Sequence, residues 1–324
     1  MEGLKLYSPA DILALTRHRE GEIKLGEKVQ TLSSLDDLKQ SNAPFVLLGI
    51  PEDIGVRANY GIAGTASTWE ASLRSLLNIQ SNSFLNGAEL LVLGHFEFKD
   101  PTETDPAALS KKVEAIDDMV YPVIQKIIET GKTPIIIGGG HNNAYPIIKG
   151  VSLAKGKEID VVNIDAHADL RETNGRHSGN GFSYAIKDNY LKNYSIFGLH
   201  ENYNNHHVLQ QIKENPHINC IYFDELIKTK DRTQLLHNFV QPMDYNLGLE
   251  IDLDSIENVL SSASTPSGFT LNDMRRLVLS GKKKFHYLHL CEGAVELSDG
   301  RKDPNTAKTI VYLITDFVKA QLNL

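Results

Sequence analysis

Asp165, His167 and Asp169 stand two residues apart at the end of an apolar run, VVNI (161–164). If the chain stays extended past Ile164, the three side chains project from one face, because side-chain direction alternates along a strand. Carboxylates and an imidazole converging on one point suit a hard to borderline divalent cation such as Mn²⁺. No thiol is at hand, which excludes a Cys-rich zinc or iron–sulfur site there. Asp and His also cap helices and close turns, so one Asp-x-His alone says little. Three such residues at the mouth of a buried strand say more, since unpaired carboxylates are costly to bury side by side unless a cation neutralises them.

Other segments repeat this logic. In PIIIGGGH (134–141) three glycines permit a tight bend that would present His141 at a strand end close to Asp165; taken alone, His141 could equally be a helix cap. Glu250, Asp252 and Asp254 alternate in LGLEIDLDSI (247–256) and so share a face. Glu292 ends the run FHYLHLCE (285–292). After PFVLLGI (44–50), a glycine-punctuated loop carries Arg57 and Asn59, as candidates for a ligand-site rim or as residues holding the bends at Gly55 and Gly61.

The elements that must position these groups follow from periodicity. Apolar runs of five to eight residues alternate with amphipathic segments from Pro44 onward. Strands are expected at 44–50, 89–95, 134–137, 161–164, 194–200, 218–226, 245–256 and 285–295. Helices are expected after the first loop, at 108–131 closed by Gly131, from near Asn143, at 207–214, to about Phe239, within 264–281, and at the C-terminal end. That alternation predicts a mostly parallel sheet covered by helices on both faces, with a ligand crevice beyond the carboxyl ends of the strands. No repeat or linker interrupts it, so residues 1–324 are expected to form one domain, with 1–43 as a polar N-terminal extension carrying a short helix from Pro9.

The bulk properties narrow the function classes. A chain of 324 residues that is 41% hydrophobic can bury a sizeable core. A formal net charge of −8 argues against nucleic acid or an anionic membrane as partner. The longest basic run, Lys282–Lys284, reads as a solvated face. Only Cys220 and Cys291 are present, each in an apolar run, and no segment reaches membrane-spanning length, so a cytoplasmic protein is expected.

Taken together, GGGH (138–141), DAHAD (165–169), IDLD (251–254), Glu292 and the loop GIPEDIGVRANYGIAG (49–64) resemble the ureohydrolase family of arginases, agmatinases and formimidoylglutamases. The resemblance covers nearly everything from Val46 onward. It implies a three-layer, arginase-like α/β fold and two Mn²⁺ per chain, although Fe²⁺, Co²⁺ and Zn²⁺ accept the same ligands. By motif, His141, Asp165, Asp169 and Asp252 would hold one ion, and His167, Asp165, Asp252 and Asp254 the other. The family usually has Ser or Thr where Glu250 stands, so a register two residues earlier, with Glu250 and Asp252 as ligands, is the alternative.

GGGH, DLR (169–171) and HSGNGF (177–182) resemble the formimidoylglutamase branch most. The histidine expected in arginases shortly after Ser-Gly-Asn is replaced by Phe182 or its neighbours, and His177 reads as a loop residue. The implied reaction is metal-assisted hydrolysis of a linear amidine, N-formimidoyl-L-glutamate to L-glutamate and formamide. Glu292 would orient the amidinium, Asp169 would relay a proton to the leaving amine, and Arg57, Asn59, Arg171 and Asn180 would line the substrate site. A guanidino substrate such as arginine or agmatine, and a non-catalytic assembly subunit, are the alternatives. The family also implies a homo-oligomer, a trimer or hexamer.

Overall fold

The computed structural model describes residues 3–243 and 246–324. Nine strands form one sheet: β1 (Leu4–Leu6), β2 (Phe45–Gly49), β3 (Leu90–Phe96), β4 (Thr133–Ile137), β5 (Ile159–Ile164), β6 (Leu191–Leu199), β7 (Ile218–Tyr222), β8 (Leu247–Asp252) and β9 (Phe285–Cys291). Their order is β1-β3-β2-β4-β9-β8-β5-β6-β7. All neighbours pair in parallel except β1, which runs antiparallel to β3.

Alternation along each strand feeds two separate cores. Phe45 and Leu47 of β2, Ile135 and Ile137 of β4, and Val162 and Ile164 of β5 enter one core with helices Thr68–Leu77, Leu271–Leu279 and Asn305–Leu322. Val46 and Leu48, Ile136, and Ile159 and Val161 enter the other with helices Pro106–Glu129, Ala144–Lys155 and Gly181–Lys187. Because both faces of the central strands are buried, those strands read as continuous apolar runs. The result is a helix–sheet–helix sandwich, as expected.

The longest helix shows how the sequence sets its limits. Asp105 caps Pro106–Glu129 by accepting from the Ala108 N–H at 3.0 Å, and Pro106 occupies the first turn, where its missing N–H costs nothing. Leu109, Val113, Ile116, Val120, Val123 and Ile127 recur every three or four residues and form the buried face.

Several details depart from the sequence expectation: the strand expected at 285–295 ends at Cys291, and Gly181–Lys187 forms a helix where none was expected. The N-terminal extension contributes an edge strand, β1, as well as the helix Pro9–Leu15. The run at 218–226 splits, β7 ending at Tyr222 and a helix, Phe223–Lys228, taking over where Asp224 and Glu225 favour a helix N-terminus. Of the expected strand 245–256, Tyr245 lies outside the described residues; the strand runs Leu247–Asp252 and gives way to a 3₁₀ turn, Leu253–Ser255.

Candidate active site

The sheet order places β4, β9, β8 and β5 side by side. These are the four strands whose carboxyl ends carry the candidate residues, so His141, Glu292, Asp252 with Asp254, and Asp165 with His167 and Asp169 meet above one stretch of sheet.

His141 is fully buried in a 3₁₀ turn after the glycines. Its Nδ1 lies 3.3 Å from Asp165 Oδ2, 3.0 Å from Asp169 Oδ2 and 3.2 Å from Asp252 Oδ2. On the other side of Asp165, His167 Nδ1 lies 3.6 Å from Asp165 Oδ1 and 3.2 Å from Asp254 Oδ2. One ligand atom from each of His141, Asp165, Asp169 and Asp252 falls within a 4.8 Å cluster, and Asp165, His167 and Asp254 form a second. All six residues proposed from the sequence as metal ligands are therefore brought together, with Asp165 common to both groups.

The convergence arises from turns rather than from a continued strand. β5 ends at Ile164, and the Asp165 carboxylate accepts the His167 N–H at 2.7 Å, folding the chain back. The Asp252 carboxylate likewise accepts the Asp254 N–H at 2.9 Å. Asp169 and Glu292 both adopt left-handed backbone, with φ of 50° and 60°. Such geometry is unfavourable for residues with a Cβ and persists where the surroundings dictate it.

The bend before His141 is equally constrained. Gly139 has φ +80°, and a Cβ there would lie 2.2 Å from Asn143 Nδ2 and 2.9 Å from both Glu52 Oε1 and the Ile50 carbonyl. Glu52, buried in the loop after β2, accepts from the N–H of Gly55 and Gly140 and from the side-chain amides of Asn142 and Asn143. Sequence reasoning passed over Glu52; an acid directly after a buried strand in PED was the available signal.

Electrostatically the site is short of positive charge. Burial raises the pKa of Asp252 well above the usual carboxylate range, and neighbouring Asp254 and Asp165 raise it further. Glu292 is pushed up to about 8 by burial and by Asp169 and Asp254, although the His141 N–H donates to its carboxylate. Burial opposes a charge on His141, yet Cys291, Asp165, Asp169 and Asp252 together hold its pKa well above the usual value. Both ring nitrogens of His141 and Asp254 Oδ1 are buried without a well-formed hydrogen bond. Buried polar atoms left in that state call for a missing partner, and an oxygen-rich donor set with two imidazoles fits hard to borderline divalent cations.

A cavity of about 290 Å³ opens over these groups, walled by Asn59, His167, Asp169, Arg171, Ser178, Tyr203, Asp252, Asp254 and Glu292 among others. Asn59 Nδ2 donates to Ser178 Oγ at 3.2 Å. Arg171 is exposed at the rim and makes no ion pair among the described residues.

Two expected substrate-site residues are placed elsewhere. Arg57 does not line the cavity; its guanidinium lies 2.6 Å from Asp100 Oδ1 and 3.6 Å from Asp53 Oδ1. Asn180 is fully buried, its amide donating to the Glu172 and Gly175 carbonyls and its oxygen accepting from Arg176 and the His177 N–H. Both spend their polar atoms on the loops around the site.

Sequence reasoning also missed Arg176. It is buried, paired bidentately with Asp117 at 2.8 and 3.1 Å, and flanked by the Tyr145 and Tyr184 rings at 4.8 and 5.0 Å. It donates to the Asn142 carbonyl at 2.8 Å as well, joining helix Pro106–Glu129 to both site loops. Tyr203 stacks on His167 with ring centroids 5.4 Å apart, and Asn204 fixes that segment by accepting the Ala168 N–H. Phe182 is buried between the His141 and Tyr194 rings.

Solved structures share this architecture. The chain superposes on a Trypanosoma cruzi formiminoglutamase crystallised with Mn²⁺ at TM-score 0.75 and 18% identity, covering 92% of this chain and 98% of that one. It superposes on a formimidoylglutamase from Bacillus subtilis at TM-score 0.76 and 16% identity, covering 95% and 94%. At the level of sequence, a formimidoylglutamase of Macrococcus caseolyticus is 28% identical over 277 residues, 83% of this chain and 82% of that one. The arginase family model matches residues 43–317, a span that holds every strand from β2 to β9 and every residue of the two donor clusters; on that match the chain belongs to the arginase family.

Proposed function

We propose that the protein is a binuclear-metal hydrolase of a linear amidine C–N bond, acting on N-formimidoyl-L-glutamate to give L-glutamate and formamide. The observation that carries the reading is the pair of donor clusters sharing Asp165, set beside a cavity that Glu292 and Arg171 both line. Relatives in sequence and structure bear the same activity in their names.

His141, Asp165, Asp169 and Asp252 would hold one ion, and Asp165, His167, Asp252 and Asp254 the second; Mn²⁺ is the metal we assign. Two divalent ions held by these residues would supply acidified water and stabilisation of negative charge developing on a substrate. The chain's own groups do the rest. Glu292 accepts the amidinium N–H groups in charge-assisted hydrogen bonds. Asp169 takes up and returns a proton at its carboxylate, delivering it to the departing amine. Arg171, with Asn59 beside it, receives the carboxylates of an acidic substrate, for which an unpaired guanidinium at the rim is the fitting partner.

No helix among the described residues is long and apolar enough to cross a membrane. We assign a cytoplasmic homo-oligomer, trimeric or hexameric, which light scattering of the purified chain tests. The activity is tested by offering the Mn²⁺-loaded protein formimidoylglutamate, arginine and agmatine separately, with and without a chelator. Glutamate and formamide from the first substrate alone, lost on chelation, are expected. Urea from either of the others overturns the substrate assignment.

A further inference from the structure

Glu250 occupies the position where the family pattern has Ser or Thr, and it does not face the cavity. It is fully buried in β8, one step below Asp252 on the same side of the strand. In the parallel ladder it stands opposite His289 of β9. Its Oε1 accepts the Tyr287 hydroxyl at 2.7 Å, and its Oε2 lies 2.6 Å from His289 Nδ1. The same Oε2 lies 3.5 Å from His141 Nε2. His289 Nε2 in turn faces the carbonyl of Gly138, 3.4 Å away, in the bend that carries His141. The carboxylate is thus held from two directions by side chains of β9 and presented to the far nitrogen of an imidazole whose near nitrogen meets three aspartates.

We infer that Glu250, locked in place by His289 and Tyr287, is a positioning residue for His141: its Oε2, 3.5 Å from Nε2 and short of a well-formed hydrogen bond, is placed to accept the Nε2 proton and so to fix the tautomer and ring orientation that leave Nδ1 free to bind a metal ion. The inference rests on the two-metal reading above. A carboxylate behind a ligating imidazole has this effect generally, and losing it weakens metal binding. The arrangement also accounts for an acid buried so close to an already acidic site. An uncompensated carboxylate there would be costly; this one has a donor on each oxygen. Glu250 therefore acts through His141: it lies with His141, His289 and Cys291, whereas Asp254 lies with His167 and Asp165.

The test is a Mn²⁺ titration of the purified apo-protein, read by the electron paramagnetic resonance signal of free Mn²⁺, for wild type, Glu250→Ala, Glu250→Met and Glu250→Gln. Wild type is expected to bind two ions. Glu250→Ala should weaken one of them by about 10–100-fold, the same one that His141→Asn abolishes, and leave the other unchanged. Glu250→Met removes the acceptor while filling the space, which covers the case in which the alanine variant does not fold. Glu250→Gln keeps an acceptor oxygen and should recover most of the affinity. Two ions bound with wild-type affinity by both the alanine and methionine variants would overturn the inference alone, as would equal weakening of both ions. A wild type that binds no divalent ion would overturn the two-metal reading itself.

Discussion

The backbone N–H of His141 donates to Glu292 Oε1 at 2.7 Å, tying the end of β4 to the end of β9. The main chain that carries the imidazole and the acid assigned to the amidinium are thereby fixed relative to one another, independently of any side-chain rotamer of His141. Beside them Asp169 Oδ2 lies 3.0 Å from His141 Nδ1, so the two acids assigned to the substrate both contact His141.

Asp165 is common to both donor clusters, so its loss should be felt by both ions. Asp165→Ala is expected to lower the metal content measured by elemental analysis from two ions per chain to less than one. Charge stabilisation by bound metal is worth several kcal/mol, so hydrolysis should fall by about 1000-fold or more.

Arg171 and Arg57 make contrasting tests of substrate binding. Arg171→Ala removes a charged hydrogen-bond donor worth about 1.5–3 kcal/mol, and should raise KM for formimidoylglutamate by roughly 10-fold or more with little change in kcat. Arg57 is engaged by Asp53 and Asp100, so Arg57→Ala should leave KM within about twofold and cost about 1 kcal/mol of stability at most. Steady-state kinetics on both variants checks the pair, and an unchanged KM for Arg171→Ala removes that residue from the substrate site.

Arg176→Ala would strand Asp117 as a buried, unpaired carboxylate. A loss of about 3–5 kcal/mol in unfolding free energy is expected in denaturant titrations. Arg176→Lys should recover little, since a lysine cannot supply the bidentate fork or lie flat between Tyr145 and Tyr184.

His286, at the amino end of β9 and remote from the site, gives a pH test. Burial, followed by the charges of Lys155, Lys284 and Lys157, pushes its pKa down from 6.5 to about 4. Its Nε2 meets Asn246 Oδ1 at 3.1 Å. Between these two pKa values the folded state binds fewer protons than the unfolded one, so the contribution of His286 to stability is present above pH 6.5 and is lost as pH falls towards 4. Relative to wild type, His286→Gln should become progressively more stable over that window. Denaturant titrations at several pH values check it, and a constant difference between the two proteins would contradict it.

What the sequence determined by itself was local. Strand–helix alternation is a matter of periodicity within ten or twenty residues, and acids and imidazoles gathered at strand ends are visible as residue types, so the α/β sandwich could be read directly and the candidate donors narrowed to a few strand ends, with the family resemblance supplying the set of six. Glycines before His141 announced the bend that Glu52 and Asn143 now fill.

Tertiary structure decided the rest, because register and turn geometry depend on partners far away in the chain. Only the sheet order shows that β9 and β8 insert between β4 and β5, bringing the four strand ends together. Glu250 and Asp254 look equivalent in sequence; pairing of Glu250 with His289 across the ladder, and the turn after Asp252, separate a buried support from a residue facing the cavity. Asn180 and Arg57 were plausible contacts for a substrate until their polar atoms found loop carbonyls, Arg176 and acids supplied by other segments. Hydrogen-bond capacity is finite, and its allocation is settled by which groups the fold brings within 3 Å or so of one another.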